Sequence, residues 1–68
     1  MKSYDNSQMR ILIEEKIHNE RSRLVLRLRL VDGWTYSAIA QHPDVDRTER
    51  QVANIIRKGI LELEQYLV

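Results

Sequence analysis

Residues 35–58 read T-Y-S-A-I-A-Q-H-P-D-V-D-R-T-E-R-Q-V-A-N-I-I-R-K, a stretch with two helix starts. Thr35 is a residue type that favours the N-cap, and it predicts a short helix over about residues 36–42. Thr48, followed by a glutamine at the capping-box spacing, predicts a longer helix over about residues 49–67. The proline and aspartates between the two segments are typical of a turn. The stretch therefore predicts two helices joined by a short turn.

Two further helices are predicted before this stretch. The first covers about residues 6–18, because Asp5 can cap it and apolar residues recur along one face at helical spacing. The second covers about residues 20–31, with Asn19 as its cap and Gly33 just past its end. A chain of 68 residues has room for one domain. We predict a single all-α domain, a four-helix helix-turn-helix domain with a long C-terminal recognition helix.

The second predicted helix is apolar on two sides. One face carries Leu24, Val25, Leu28 and Val31, and nearly opposite lie Leu26 and Leu30. A helix of this kind is covered on two sides, so it is either the central helix of the bundle or half of a dimer interface. The alternation over residues 24–31 also fits a β-strand, but the sequence predicts no second strand for it to pair with.

In the fourth predicted helix the apolar side chains occupy one broad arc: Val52, Ile55, Ile56, Ile60, Leu63, Tyr66 and Leu67. Gly59 lies on the same arc, where glycine costs about 1 kcal/mol relative to alanine, and close approach of another helix would explain it. We also expect Val45 and Ile39 inside the domain, with Trp34 packed beside the third helix.

The other side of the fourth helix is polar and carries Glu49, Arg50, Ala53, Asn54 and Arg57. A helix that enters the major groove needs polar side chains toward the bases and apolar ones toward its own domain. Arg50 suits guanine and Asn54 suits adenine as bidentate partners, while Ala53 leaves room for a thymine methyl group. Arg47 and Lys58 flank this side and suit phosphates. A plain solvated face is the alternative interpretation.

The start of the third helix is a second candidate contact, because N–H groups at a helix N-terminus bind anions. We expect Thr35, Tyr36 and Ser37 to clamp a backbone phosphate there. The predicted DNA-binding residues are together Thr35, Tyr36, Ser37, Arg47, Thr48, Glu49, Arg50, Gln51, Ala53, Asn54, Arg57 and Lys58.

Charge and composition narrow the choice of partners. The net charge is +1, but residues 21–58 carry eight basic and four acidic side chains, which gives +4. An anionic partner is therefore expected there, although a solvated face of mixed charge fits the same distribution. Without cysteine the chain has no disulfide and no thiolate metal site. No apolar run approaches the ~20 residues that span a bilayer, so we expect a soluble, cytoplasmic protein.

Nothing in the sequence is typical of an enzyme. The serines and histidines form no recognisable pair of nucleophile and base, and a glycine-rich phosphate loop is absent. Glu14, Glu15 and His18 have spacings that could ligate a metal, but a solvent-facing cluster at a helix end explains them better. We predict a protein without catalytic activity, cofactor or metal.

Two stretches carry a family resemblance. Residues 23–40 fit R-x-V-L-x-L-R-L-x-x-G-x-T-Y-x-x-I-A, and residues 48–63 fit T-x-x-x-V-x-x-I-x-x-K-x-I-x-x-L. Both resemble the C-terminal promoter-reading domain (region 4) of bacterial sigma factors, over about residues 20–67. The chain is similar to the small sigma-region-4-like regulators of phages and mobile elements. The LuxR-type helix-turn-helix shares much of the pattern.

The resemblance implies a sequence-specific DNA-binding transcriptional regulator whose fourth helix reads the −35 promoter element. By position it makes Glu49, Arg50 and Asn54 base readers and places Arg57 and Lys58 near phosphate. It also implies that another surface docks on RNA polymerase. In this chain the segment between the two motif helices is slightly longer than is usual in that domain, which affects the approach angle of the fourth helix.

A protein-binding adaptor is the alternative function. Leu26, Leu30 and Leu61, which we expect to be exposed, would then dock on RNA polymerase or another regulator without reading DNA. Because a single small module buries only ~600–1,000 Å² against DNA, we also expect a homodimer or a polymerase tether. The candidate dimer surface is the second helix, or the end of the fourth helix with Leu61, Tyr66 and Val68.

Overall fold

The structure, a computed structural model, describes residues 5–66. Its helices are α1 (Asn6–Lys16), α2 (Glu20–Leu26) with a π-helical turn (Arg27–Val31) directly after it, α3 (Tyr36–Ala40) and α4 (Glu49–Glu64). Residues 5–66 contain no β-strand. The all-α prediction is therefore confirmed, and the strand alternative for residues 24–31 is wrong.

The four helices begin at the predicted caps, because each N-cap side chain accepts a hydrogen bond from a backbone N–H group in the first turn. Asp5 and Gln8 form a reciprocal capping box at α1, with N···O distances of 2.8 and 3.2 Å. The side chain of Asn19 accepts from the N–H of Ser22 at 3.0 Å and begins α2. These are local interactions, and the sequence pattern was sufficient to predict them.

The first helix ends at Lys16 rather than at His18. Ile17 has left the helix for an extended conformation (φ −101°, ψ 115°), which buries its side chain to 7% exposure. Its carbonyl oxygen accepts a hydrogen bond from Nε of Arg23 at 2.8 Å. A contact between two helices thus replaces the last helical turn, and neighbouring residues alone do not reveal it.

The third and fourth helices are also shorter than predicted. The third ends at Ala40 rather than at His42, because Nδ1 of His42 accepts the N–H of Asp44 at 3.1 Å and His42 belongs to the turn. The fourth ends at Glu64, and its predicted last residue, Leu67, lies outside the described residues.

The second helix is the central helix of the bundle, which is one of the two predicted alternatives. On one side it contributes to a cluster of Val25, Leu28, Ile39, Val45, Val52 and Ile56, and on the other to a cluster of Ile13, Ile17, Leu26 and Leu63. The expectation that Leu26 and Leu30 are exposed is wrong. Leu26 is fully buried, and Leu30 is half-buried against the second cluster, because α1 and α4 cover that side.

The π-helical turn changes the direction of the residues that follow it. The N–H of Asp32 donates to the carbonyl of Arg27 at 3.1 Å, the i→i+5 spacing that defines a π turn. Val31, predicted on the same face as Val25, packs instead on the second cluster. The wider turn therefore directs Val31 toward the second cluster, to which Leu26 already contributes from before the turn.

The buried stripe of α4 is narrower than predicted and consists of Val52, Ile56, Gly59 and Leu63. Ile60 is 37% exposed, so its place on the buried arc was wrongly predicted, whereas Tyr66, 43% exposed, was predicted both on that arc and at a dimer surface. Ile60 lies at the margin of a stripe that follows i, i+4, i+7 and i+11, the spacing of a single helix seam, and Tyr66 comes after the end of α4. Trp34 is likewise exposed, with its ring centroid 5.9 Å from that of His42.

Candidate nucleic-acid interface

Three polar side chains form a row along the outer side of α4. Arg50, Asn54 and Arg57 follow i, i+4 and i+7, which places them on one side of a helix, opposite the buried stripe. Both arginines are exposed and Asn54 is half-buried. We refer to these three residues as the polar ridge. Leu61, 61% exposed, continues the same row toward the C-terminal end of α4.

Two of the ridge residues bind each other. Nη2 of Arg57 donates a hydrogen bond to the amide oxygen Oδ1 of Asn54. The side chain of Arg50 makes no hydrogen bond, ion pair or ring contact with another residue of the described range 5–66, and neither does that of Lys58. The guanidinium of Arg50 therefore keeps all five of its N–H donors for a ligand.

The predicted flanking residues lie on the two edges of the ridge. Glu49 is exposed and Ala53 is half-buried on one edge. Lys58 lies on the other edge, where it lines a groove between α4 and the α1–α2 corner together with Lys16 and Glu62. Two lysines and Glu62 therefore lie along one edge of the ridge, and Glu49 lies at the start of the other.

Thr48 and Gln51 serve the N-terminus of α4 rather than the ridge. Oγ1 of Thr48 accepts the N–H of Gln51 at 3.2 Å, and Oε1 of Gln51 accepts the N–H of Thr48 at 3.0 Å. This capping box satisfies two backbone donors reciprocally. Both residues were predicted to bind DNA, and the structure gives their side chains a role in fixing the start of the helix.

The turn before α4 is held against the domain by one buried side chain. Val45 is fully buried in the first cluster, and Asp46 adopts a positive φ of 51°. Nη1 of Arg47 donates to the carbonyl oxygen of Asp46 at 2.8 Å, and the side chain is half-buried. Arg47 thus precedes the N-cap of α4 and keeps further N–H donors.

The predicted contact at the start of α3 is exposed. Thr35 caps α3 by accepting the N–H of Ala38 at 3.1 Å. The hydroxyl of Ser37 accepts from Nε2 of Gln41 at 3.4 Å. Tyr36 is 37% exposed. Because α3 has only five residues, its helix dipole is small. Any anion binding at this end of α3 therefore depends more on its side chains than on its backbone N–H groups.

Arg29 also belongs to this region, although no site role was predicted for it. Its guanidinium carbon lies 4.6 Å from the ring centroid of Tyr36, a cation–π contact. Its Nη1 donates to the carbonyl oxygen of Trp34 at 3.0 Å. Arg29 thereby ties the π-helical turn to the start of α3. These residues meet through the path of the segment between the π-helical turn and α3, which helical spacing does not predict.

The described residues offer no metal site and no membrane span. Within residues 5–66, no three or more histidine, aspartate or glutamate side chains are placed to hold a metal ion, and this includes Glu14, Glu15 and His18. Among the helices of the same range, none combines the length and the apolar character that crossing a bilayer requires.

Comparison with known proteins gives no relative for this chain: no protein-family model, no curated protein and no solved structure matches it.

Proposed function

We propose that the protein is a sequence-specific DNA-binding transcriptional regulator, with the first half of α4 in the major groove. The observation that carries the proposal is the two-sided character of α4. Val52 and Ile56 anchor one side in the core, while the polar ridge projects from the other. A helix about 10–12 Å across fits a major groove about 12 Å wide.

The edges of the ridge suit the DNA backbone. Arg47, just before the N-cap of α4, and Lys58, on one edge of the ridge, supply cations for phosphates. The exposed Tyr36 and Ser37 add donors at the start of α3, which packs directly against α4. The proposal therefore has base readers in the middle and phosphate contacts around them.

The regulatory part of the proposal rests on the resemblance to region 4 of sigma factors. Promoter DNA is then the target, and RNA polymerase or a second copy of the chain supplies additional binding energy. A module of this size buries too little surface for tight binding alone, because small modules bury only ~600–1,000 Å² against DNA.

A salt titration of duplex binding tests the proposal. Each phosphate contact releases counterions, so the logarithm of the binding constant should fall linearly with the logarithm of the salt concentration, by about 0.9 per phosphate. Arg50→Ala should weaken this binding, and Glu14→Ala on the exposed face of α1 is the control. Absence of duplex binding at low salt would refute the proposal.

The second candidate is a protein-binding adaptor, favoured by three exposed apolar side chains. Ile11 and Leu61 are 56% and 61% exposed, and Ile60 is 37% exposed. Leu26 no longer supports this function because it is buried. An adaptor would capture polymerase subunits, would lose that capture in Leu61→Ser, and would bind duplex DNA weakly at every salt concentration.

A further inference from the structure

Three of the residues one turn away from Asn54 on α4 are cations. Arg50 precedes it by one turn, and Arg57 and Lys58 follow it by one turn, so all three are its neighbours on the helix surface. Arginine and lysine side chains donate hydrogen bonds and accept none. The amide oxygen of Asn54 is therefore the only acceptor among these four side chains.

That oxygen is already engaged by the guanidinium of Arg57. Bidentate pairing with adenine needs the oxygen and the nitrogen of the amide side by side against the base, one accepting from N6 and one donating to N7. An amide whose oxygen is turned toward Arg57 meets the base with its two N–H donors instead. The amide oxygen has two lone pairs, of which Arg57 occupies one while holding the oxygen in one orientation, so nearly all the unoccupied hydrogen-bonding groups of the ridge are N–H donors.

Guanine and adenine differ in the number of hydrogen-bond acceptors that they offer to these N–H donors. In the major groove guanine presents two acceptors, N7 and O6, whereas adenine presents one acceptor and the N6 donor. We propose that Arg57 sets the base preference of the protein: by holding the oxygen of Asn54, it converts an expected adenine reader into a guanine reader. The inference rests on the proposed function and makes Arg57 a positioning residue.

Selection of bound sequences from random duplex DNA tests the inference. Asn54→Ala identifies the base pair that Asn54 reads, as the position whose preference disappears. At that pair the unaltered protein should favour guanine over adenine by about five-fold or more. Arg57→Met should shift the preference to adenine, because the freed oxygen can then accept from N6.

Lys58→Met is the matched control, because it also removes one cation next to Asn54 but leaves the Arg57–Asn54 hydrogen bond intact. It should lower affinity for all sequences and keep the guanine preference. An adenine preference in the unaltered protein, or a guanine preference that survives Arg57→Met, overturns the inference while DNA binding stands.

A measurement without DNA separates failure of the inference from failure of the proposed function. In the free protein the side-chain amide resonances of Asn54 should move in Arg57→Met and stay in place in Lys58→Met, with helix content unchanged in both. Equal resonances in all three proteins overturn the role of Arg57. If the resonances respond as expected but no duplex binds, the proposed function is refuted, and the base preference is refuted with it. The hydrogen bond between Arg57 and Asn54 would still be confirmed.

Discussion

Gly59 and Leu26 approach so closely that a Cβ atom on Gly59 would lie 2.5 Å from Cδ1 and 2.6 Å from Cδ2 of Leu26. Leu26 is fully buried in the second cluster, so a methyl group on Gly59 would force the Leu26 side chain or one of the two helices to shift. The glycine therefore lets the central helix and α4 pack at short range. This contact holds the helix that carries the polar ridge against the rest of the domain.

Gly59→Ala is expected to destabilise the protein although alanine favours helix. The gain in helix propensity is about 1 kcal/mol, and overpacking a well-filled core costs about 1–3 kcal/mol. We expect the clash to win and the free energy of unfolding to fall, measured by urea denaturation followed by circular dichroism. Adding Leu26→Val should recover part of the loss. Stabilisation by Gly59→Ala alone would show that the two helices lie further apart.

The close approach of another helix was predicted from Gly59 itself, because glycine destabilises a helix interior and close packing explains its presence there. It did not predict which residue fills the space. At 100° per residue Leu26 falls opposite the main apolar face of its helix, and the exposure of that side depends on α1 and α4. The π-helical turn was not predicted either, because the apolar spacing was interpreted at 100° per residue, the period of a regular α-helix.

Ile56 and Ile60 were both predicted on the apolar arc of the fourth helix, but only Ile56 is buried in the structure. Ile56 is 3% exposed in the first cluster, and Ile56→Ala should cost about 2–5 kcal/mol, enough to unfold much of a domain this small. Ile60 is 37% exposed, so Ile60→Ala should cost clearly less. Thermal unfolding of the two variants checks the difference. Equal losses would mean that Ile60 is buried as the sequence pattern predicted.

Arg50→Ala tests base recognition, because its guanidinium has no partner within the described part of the chain. We expect a loss of about 1–3 kcal/mol in discrimination at one base pair, with little change at other positions. Competition between duplexes that differ at single base pairs measures this. If the variant behaves like Glu14→Ala, the side of α4 that meets DNA is misassigned.

Lys58→Ala tests the backbone contact on the edge of the ridge. Because a phosphate contact carries no sequence information, binding should weaken equally for all duplexes, and the salt slope should become shallower by about 0.9. Titrations at several salt concentrations give both quantities. A change in base preference would instead assign Lys58 to the bases.

Most of the candidate interface was predictable because its elements are local. Thr48 and Gln51 form a capping box within one turn, and the ridge follows from helical spacing once the helix start is known. The hydrogen bond between Arg57 and Asn54 was not predicted, although their i, i+3 spacing permits it. Arg29 escaped notice because folding, not spacing, brings it to Tyr36. The dimer contacts predicted at Val68 lie outside the described residues.

Mapping the backbone amide resonances during titration with a selected duplex tests the central claim most directly. If α4 enters the major groove, the largest changes should fall on residues 47–58 and 35–37, while α1 remains unchanged. Changes concentrated around Ile11 and Leu61, or no change at all, would contradict the account.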